Sequence, residues 1–119
     1  MDNEVSWVFE ITLNPGAVDD FKSLAKEQVD ANYSSEPGTL NFQLFITGDD
    51  TRVHYCERFV DSAAAMFHVA RFGETFAARL LELATVTRFE IYGNPSDELK
   101  DALVDLSPTY LSPVAGFTR

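Results

Sequence analysis

The chain of 119 residues carries a single cysteine, Cys56, and only two histidines, His54 and His68. One cysteine cannot close an internal disulfide, which fits a reducing, cytoplasmic setting. With so few soft ligands a closed zinc site would need carboxylates as well, and no ligand spacing marks one. Basic residues are also scarce: nine Lys and Arg against 19 Asp and Glu give a formal net charge of -10. Such a surface repels phosphate backbones and anionic lipid, so neither nucleic acid nor a membrane is an expected partner. No apolar run approaches the roughly 20 residues of a membrane span. No basic start followed by an apolar core marks a signal peptide, and no GxGxxG or other phosphate-cradling loop is present. Internal repeats, low-complexity tracts and linkers are absent too, so residues 1–119 are expected to form one domain. What is abundant is apolar: 45% of residues, with 10 Phe among them, enough for one real core.

Alternation of period two sets the first strand, with Val5, Trp7, Phe9, Ile11 and Leu13 on one face. Asn14-Pro15-Gly16 ends it, because proline removes a donor and glycine permits unusual backbone angles. A helix is expected from about Ala17 to Tyr33, with Asp19 and Asp20 in its first turn and an inner stripe of Phe21, Leu24, Ala25, Gln28 and Val29 that Asn32 and Tyr33 could continue. Ser34-Ser35-Glu36-Pro37-Gly38 breaks the chain again. A second strand carries Leu40, Phe42, Leu44 and Ile46 on one face and Asn41, Gln43 and Phe45 on the other. Gly48-Asp49-Asp50-Thr51 makes a hairpin connection into a third strand. There Val53, Tyr55, Glu57 and Phe59 share one face, and His54, Cys56 and Arg58 the other. Asp61 or Ser62 can cap the next helix, which holds Ala64 to Val69. A bend is expected at Arg71-Phe72-Gly73, then a second helical piece from about Glu74 to Leu83 with Phe76, Ala77, Leu80 and Leu81 inward. Val86 to Tyr92 form a fourth strand, and Ser96 can cap a last short helix before a tail without periodicity.

The order β-α-β-β-α-β with a C-terminal helix and tail predicts an α+β, ferredoxin-like fold with a four-stranded antiparallel sheet. The core is expected over residues 5–92, and residues 93–119 form a C-terminal extension. Helices cover one sheet face only. Val8, Phe45, Phe89 and Ile91 are read as apolar residues on the other face, and an open apolar face calls for a partner. A homodimer that stacks two sheets into an α/β barrel would supply it.

Several segments, in this order and spacing, resemble the antibiotic biosynthesis monooxygenase family of dimeric α/β barrels. They are Pro15-Gly16, Glu36-Pro37-Gly38-Thr39-Leu40, Tyr55-Cys56-Glu57-Arg58-Phe59 and Ala64-Ala65-Met66-Phe67-His68. The resemblance covers Val5 to Tyr92. It implies a small cavity between sheet and helices, and oxidation of a small aromatic or quinol-type compound by molecular oxygen, with no metal or flavin cofactor. An electron-rich phenolate or carbanion can pass an electron to oxygen directly, so the protein has to bind the ring, remove a proton and exclude water. A non-catalytic, small-molecule-binding or accessory homodimer of the same fold is the alternative, because fold constrains reaction only weakly.

The resemblance puts His68 where many members carry a helix histidine. As a neutral imidazole it would take a proton from a phenol; in the bland reading it is a packed side chain bonded to Glu57 or backbone. Glu57 matches the family's third-strand acid and lies on an apolar face, so burial demands a partner, with His68, Arg79 and Arg88 as the candidates. Tyr55 shares that face and would hold a substrate oxygen, or else pack in the core with its hydroxyl satisfied. Trp7, Phe9, Phe42, Phe67, Phe72 and Phe76 are candidate cavity walls, or plain core. Asn41 and Tyr33 are weaker polar candidates; Arg79 would meet an anionic substrate group, although an exposed helix arginine is the safer expectation. Cys56 and His54 fall on the opposite face. The family's haem-degrading branch uses a later helix histidine as iron ligand; Gly73-Glu74-Thr75-Phe76 has none here, which disfavours haem.

Overall fold

A computed structural model describes residues 3–119. Elements follow the order β1 (Val5–Leu13), α1 (Val18–Ser35), β2 (Thr39–Ile46), β3 (Arg52–Phe59), α2 (Ser62–Thr75), α3 (Ala77–Leu83), β4 (Ala84–Gly93), α4 (Asp97–Leu103), a 3-10 turn at Val104–Leu106 and β5 (Thr109–Leu111). The strands form one sheet in the order β2-β3-β1-β4-β5. The first four are antiparallel neighbours, as the ferredoxin-like order requires, and β5 adds a short parallel strand to the free edge of β4. The tail that lacks periodicity thus supplies a fifth strand. Only three residues pair, too few for alternation to register as a pattern.

Local chemistry sets the helix boundaries. The Asp61 carboxylate accepts from the Ala64 N–H at 2.8 Å and starts α2, and the Ser96 hydroxyl accepts from the Leu99 N–H at 3.2 Å and starts α4. The expected bend at Arg71-Phe72-Gly73 is absent: α2 runs through it to Thr75 and breaks at Phe76. One glycine inside a helix costs only about 1 kcal/mol, too little to end it against the packing of its neighbours. Val29 and Leu81, read as inward, are exposed instead; of the two possible continuations of the α1 stripe, Asn32 is buried and Tyr33 is exposed.

The core lies between sheet and helices. Inner residues of β1, β3 and β4 meet Phe21 and Leu24 of α1, Ala65 of α2, Leu80 of α3 and Leu99 of α4. Phe89 and Ile91 belong to this core, not to the open face on which alternation from Val86 places them. The cause is a register shift against β1 at Glu10/Ile11: Phe9 faces Phe89 and Ile11 faces Val86, which makes Thr87 an extra residue. Such a bulge reverses the alternation, so Val86 and Phe89 share one face. The outer face is consequently far more polar than expected. Glu10 pairs there with His54 at 3.0 Å and accepts from the Thr87 hydroxyl at 2.7 Å. Arg58 meets Glu4 at 3.2 Å, and Arg88 meets Glu90. Phe45 is the large apolar side chain most exposed on that face.

Gly38 sits where β2 enters beneath α2. A Cβ there would lie 2.6 Å from the Ala64 Cβ and 3.3 Å from Val60 Cγ1. The Ala64 methyl is fixed to the helix backbone and cannot turn away, so the glycine sets how closely Glu36-Pro37-Gly38 approaches α2. Gly38→Ala is expected to cost about 1–3 kcal/mol through overpacking. A fall in the urea midpoint without change in slope checks this; an unchanged midpoint contradicts it.

Candidate functional site

Three elements bring one histidine between two carboxylates. His68 lies on the inner stripe of α2, one turn after buried Ala65. Glu57 lies at the inner face of β3, directly between Trp7 on β1 and Phe42 on β2. Glu36 is the residue that ends α1, buried just before β2. His68 Nδ1 stands 2.8 Å from Glu36 Oε1, and Nε2 stands 2.8 Å from Glu57 Oε1. The second contact is close but off-axis, so Glu57 Oε1 has no well-aligned donor. Trp7 Nε1 donates to Glu57 Oε2 at 2.7 Å. Glu36 is held in turn by the Thr39 hydroxyl at 2.8 Å and by Arg71 Nε at 3.1 Å.

Charge follows from this geometry. Burial works against an imidazolium, but the Glu57 charge, the bonds to Glu36 and Glu57 and the Glu36 charge outweigh it and raise the His68 pKa to about 9. Burial also opposes ionisation of Glu36, yet the bond from His68, its charge, and the Thr39 and Arg71 bonds hold that carboxyl below its usual range. The raised pKa favours the imidazolium at neutral pH, with Nδ1 hydrogen-bonded to Glu36 and Nε2 in close but off-axis contact with Glu57. This direction runs against the neutral base that the resemblance implies. Two carboxylates on opposite edges of one ring retain the proton, a pattern invisible while only Glu57 was paired with His68.

The ring faces a cavity of about 50 Å³. Its walls are Trp7, Phe9, Phe42, Val69, Phe72 and Phe89, with Leu103 and Leu106 closing one side, and its polar groups are Gln28, Tyr55, Glu57 and His68. The aromatic walls brace one another: Trp7 and Phe9 each meet Phe89 edge-on, at 5.4 and 5.2 Å between ring centres. The Tyr55 hydroxyl donates to Gln28 Oε1 at 2.7 Å, and burial, with the Glu57 charge second, pushes its pKa far above the ordinary phenol value. Tyr55 is thus a neutral hydroxyl whose proton is already engaged.

Tyr55, Glu57, His68, Trp7, Phe9 and Phe72 come together around this space. Asn41, Phe76 and Arg79 stay outside it. Asn41 lies at a register shift in β2 and its amide donates to the Cys56 carbonyl at 3.0 Å. Phe76 is core at the α2–α3 break. Arg79 is half-exposed and forms a two-bond pair with Glu27, which leaves its guanidinium no role in the cavity. Phe67 faces solvent beneath Arg71. The Glu57 partners are His68 and Trp7, not an arginine. Cys56 lies on the outer face, and burial, with the Glu57 charge second, raises its thiol pKa. Sequence reading missed Glu36, which looked like turn punctuation, and placed Gln28 correctly on the inner stripe of α1 without giving it a role at the cavity. A polar residue at a buried helix position was the available signal for Gln28. Among the described residues, no three His, Cys, Asp or Glu side chains converge as a metal-binding group, and no helix is long and apolar enough to cross a membrane.

A ferredoxin-like sheet with a histidine set between two carboxylates at the wall of an apolar cavity defines an α+β protein with a small internal pocket. Residues 5–78 match the model of the antibiotic biosynthesis monooxygenase family, and the chain belongs to that family. Among solved structures, MupZ from Pseudomonas fluorescens is similar over 100% of this chain and 91% of its own, with 21% identity and a TM-score of 0.89. SnoaB, a cofactor-independent oxygenase from Streptomyces nogalater, is similar over 81% of this chain and 96% of its own, with 23% identity and a TM-score of 0.66. Rv0793 from Mycobacterium tuberculosis is similar over 79% of this chain and 97% of its own, with 18% identity and a TM-score of 0.66. These likenesses show the shared fold. The likeness to MupZ extends through the C-terminal segment that supplies Leu103 and Leu106. No curated protein sequence matches the chain.

Proposed function

We propose that this protein is a cofactor-independent monooxygenase acting on a small aromatic or quinol-type compound, with Glu57 and His68 as its acid–base pair. The observation that carries this reading is a carboxylate–imidazolium pair at the wall of an otherwise apolar, aromatic cavity in a chain of this family. Glu57 would accept the proton of a phenol or of an activated CH2, and the adjacent His68 charge would stabilise the resulting anion where little water screens it. The anion then reduces oxygen. For an anthrone-type CH2, one oxygen atom ends in the new carbonyl and the other leaves as water. Trp7 fixes the carboxylate, and Phe9, Phe72 and Phe89 exclude solvent.

A second reading has its own support. An imidazolium at neutral pH is a proton donor, which suits acid-assisted isomerisation or cyclisation of an oxygenated compound as well. Oxygen consumption with a panel of hydroquinones and anthrone-like phenols separates the two. Turnover that consumes oxygen supports the first; rearrangement of a substrate without oxygen uptake supports the second. Absence of both leaves a non-catalytic binding protein. We further propose that two copies stack their outer sheet faces into a barrel, now through a mainly polar interface. A monomer in dilute sedimentation would contradict that assembly.

A further inference from the structure

The two carboxylate contacts of His68 are equal in length and unequal in geometry. Nδ1 makes an aligned hydrogen bond to Glu36 Oε1 at 2.8 Å. Nε2 lies 2.8 Å from Glu57 Oε1 but off axis, and that buried oxygen has no hydrogen-bond partner among the described residues. Hydrogen bonds weaken steeply with misalignment, so the ring is anchored through Nδ1. The anchor is itself fixed. The Thr39 hydroxyl donates to the same Glu36 oxygen at 2.8 Å, and Arg71 Nε donates to Oε2 at 3.1 Å. Three donors, one from β2 and two from α2, thus hold a side chain that is 3% exposed. The rings of Phe59, Phe42 and Trp7 flank the imidazole, with centres 5.1, 5.8 and 6.2 Å away. Glu57 and His68 line the cavity and Glu36 does not, which puts the Nε2 edge of the ring on the cavity side.

We propose that Glu36 is the positioning residue of this site: it holds the Nδ1 proton and thereby commits Nε2–H to a ligand oxygen in the cavity. This role rests on the acid–base pair proposed for Glu57 and His68, and adds the residue that orients it. An N–H not aimed at the carboxylate beside it is available to a third atom, and a carboxylate oxygen without a donor is available to that atom's proton. The two stand side by side. A ligand hydroxyl between them donates to Glu57 Oε1 and accepts from Nε2–H. On transfer, the ligand O–H bond breaks and its proton forms a new O–H bond at Glu57. The electron pair left on the ligand oxygen keeps the hydrogen bond from Nε2–H. Nδ1 takes no part, because Glu36 already engages its proton. Glu36 acts through the ring, as carboxylates that fix a histidine tautomer do. The Thr39 and Arg71 bonds help to keep Glu36 ionised and a weak base, so it orients the ring without removing its proton.

The tautomer of the neutral ring tests this directly and needs no substrate. The charged groups that face the ring are Glu36 from the end of α1 and Glu57 from β3, with Arg71 of α2 behind Glu36. Either nitrogen is able to keep the last proton, and the better-aligned bond decides which. Nitrogen-15 spectra of the wild type at about pH 10, above the transition near 9, should show that proton on Nδ1 and a bare Nε2. Glu57→Gln should keep this tautomer. Glu36→Gln preserves the shape and removes the charge, and should move the proton to Nε2. A Glu36 that served packing alone would leave the tautomer unchanged in that variant, which overturns the assignment. A wild-type proton on Nε2 also overturns it, whether or not the variants fold, and leaves Glu57 as the proposed base. An Nδ1–H ring in a protein that neither consumes oxygen nor rearranges any compound of the panel overturns the acid–base reading, and the positioning role with it.

Discussion

Raising the pH from about 6 to 10 will lower the stability of this fold by about 3 kcal/mol through His68 alone. The imidazole titrates near its ordinary value of 6.5 when unfolded and at about 9 when folded. A group whose folded pKa lies above its unfolded value stabilises the fold while protonated. The contribution is complete below about 6.5 and is lost as the pH rises through about 9. Glu36 acts in the opposite sense. Its folded pKa is depressed, so its contribution is present above 4.5 and lost as the pH falls through the folded value. Maximum stability should therefore lie between these limits, on the mildly acid side of neutrality. Urea unfolding across this range measures the slope directly. The net charge of -10 also grows more negative with pH and adds repulsion. A His68→Gln variant isolates the histidine, because its stability should decline less over the same interval. Equal slopes in the two proteins would show that the buried pair does not hold the proton.

Glu57→Gln should abolish most turnover while leaving the cavity intact. The substitution keeps the shape and an acceptor for Trp7 Nε1, but removes the charge that pairs with His68. Loss of a positioned acid–base group typically costs about 10²–10⁴ in rate. Two further changes accompany it. The His68 pKa should drop toward 6.5, since the Glu57 charge is the largest influence raising it. Stability should fall by about 3 kcal/mol, the low end for breaking a buried pair, because Glu36 still holds the other nitrogen. Glu36→Gln makes an informative contrast. It should also lower the His68 pKa, yet Glu36 is not a cavity wall, so its effect on rate should be the smaller. If Glu57→Gln retained wild-type turnover, proton transfer at this carboxylate would be excluded.

Much of the fold was legible because alternation and turn chemistry act locally. The β1 row from Val5 to Leu13, the Pro15-Gly16 break and the Asp61 cap all mark their own positions. What misled was non-local. The bulge at Thr87 depends on pairing between β4 and β1, and it alone decides that Phe89 and Ile91 face the core. The polar character of the outer face follows from that single shift. The site shows the same division. Glu57 and His68 stood out as polar residues on apolar faces, but Glu36 gained its role only when the chain turn after α1 was packed under α2. Arg79 illustrates the converse: helical spacing brought it near α1, where Glu27 captures it at the surface. Leu103 and Leu106 could be recognised as apolar, but their place at the cavity depends on how α4 docks against α2.

The most direct test of the central claim is a nitrogen-15 NMR titration of the His68 ring. Both ring nitrogens should carry protons at pH 7.5, with shifts of an imidazolium, and the transition should fall near pH 9. A ring that carries one proton at pH 7.5 and titrates near 6.5 would contradict it. That result would make His68 a neutral imidazole and remove the charged pair on which the proposed acid–base chemistry depends.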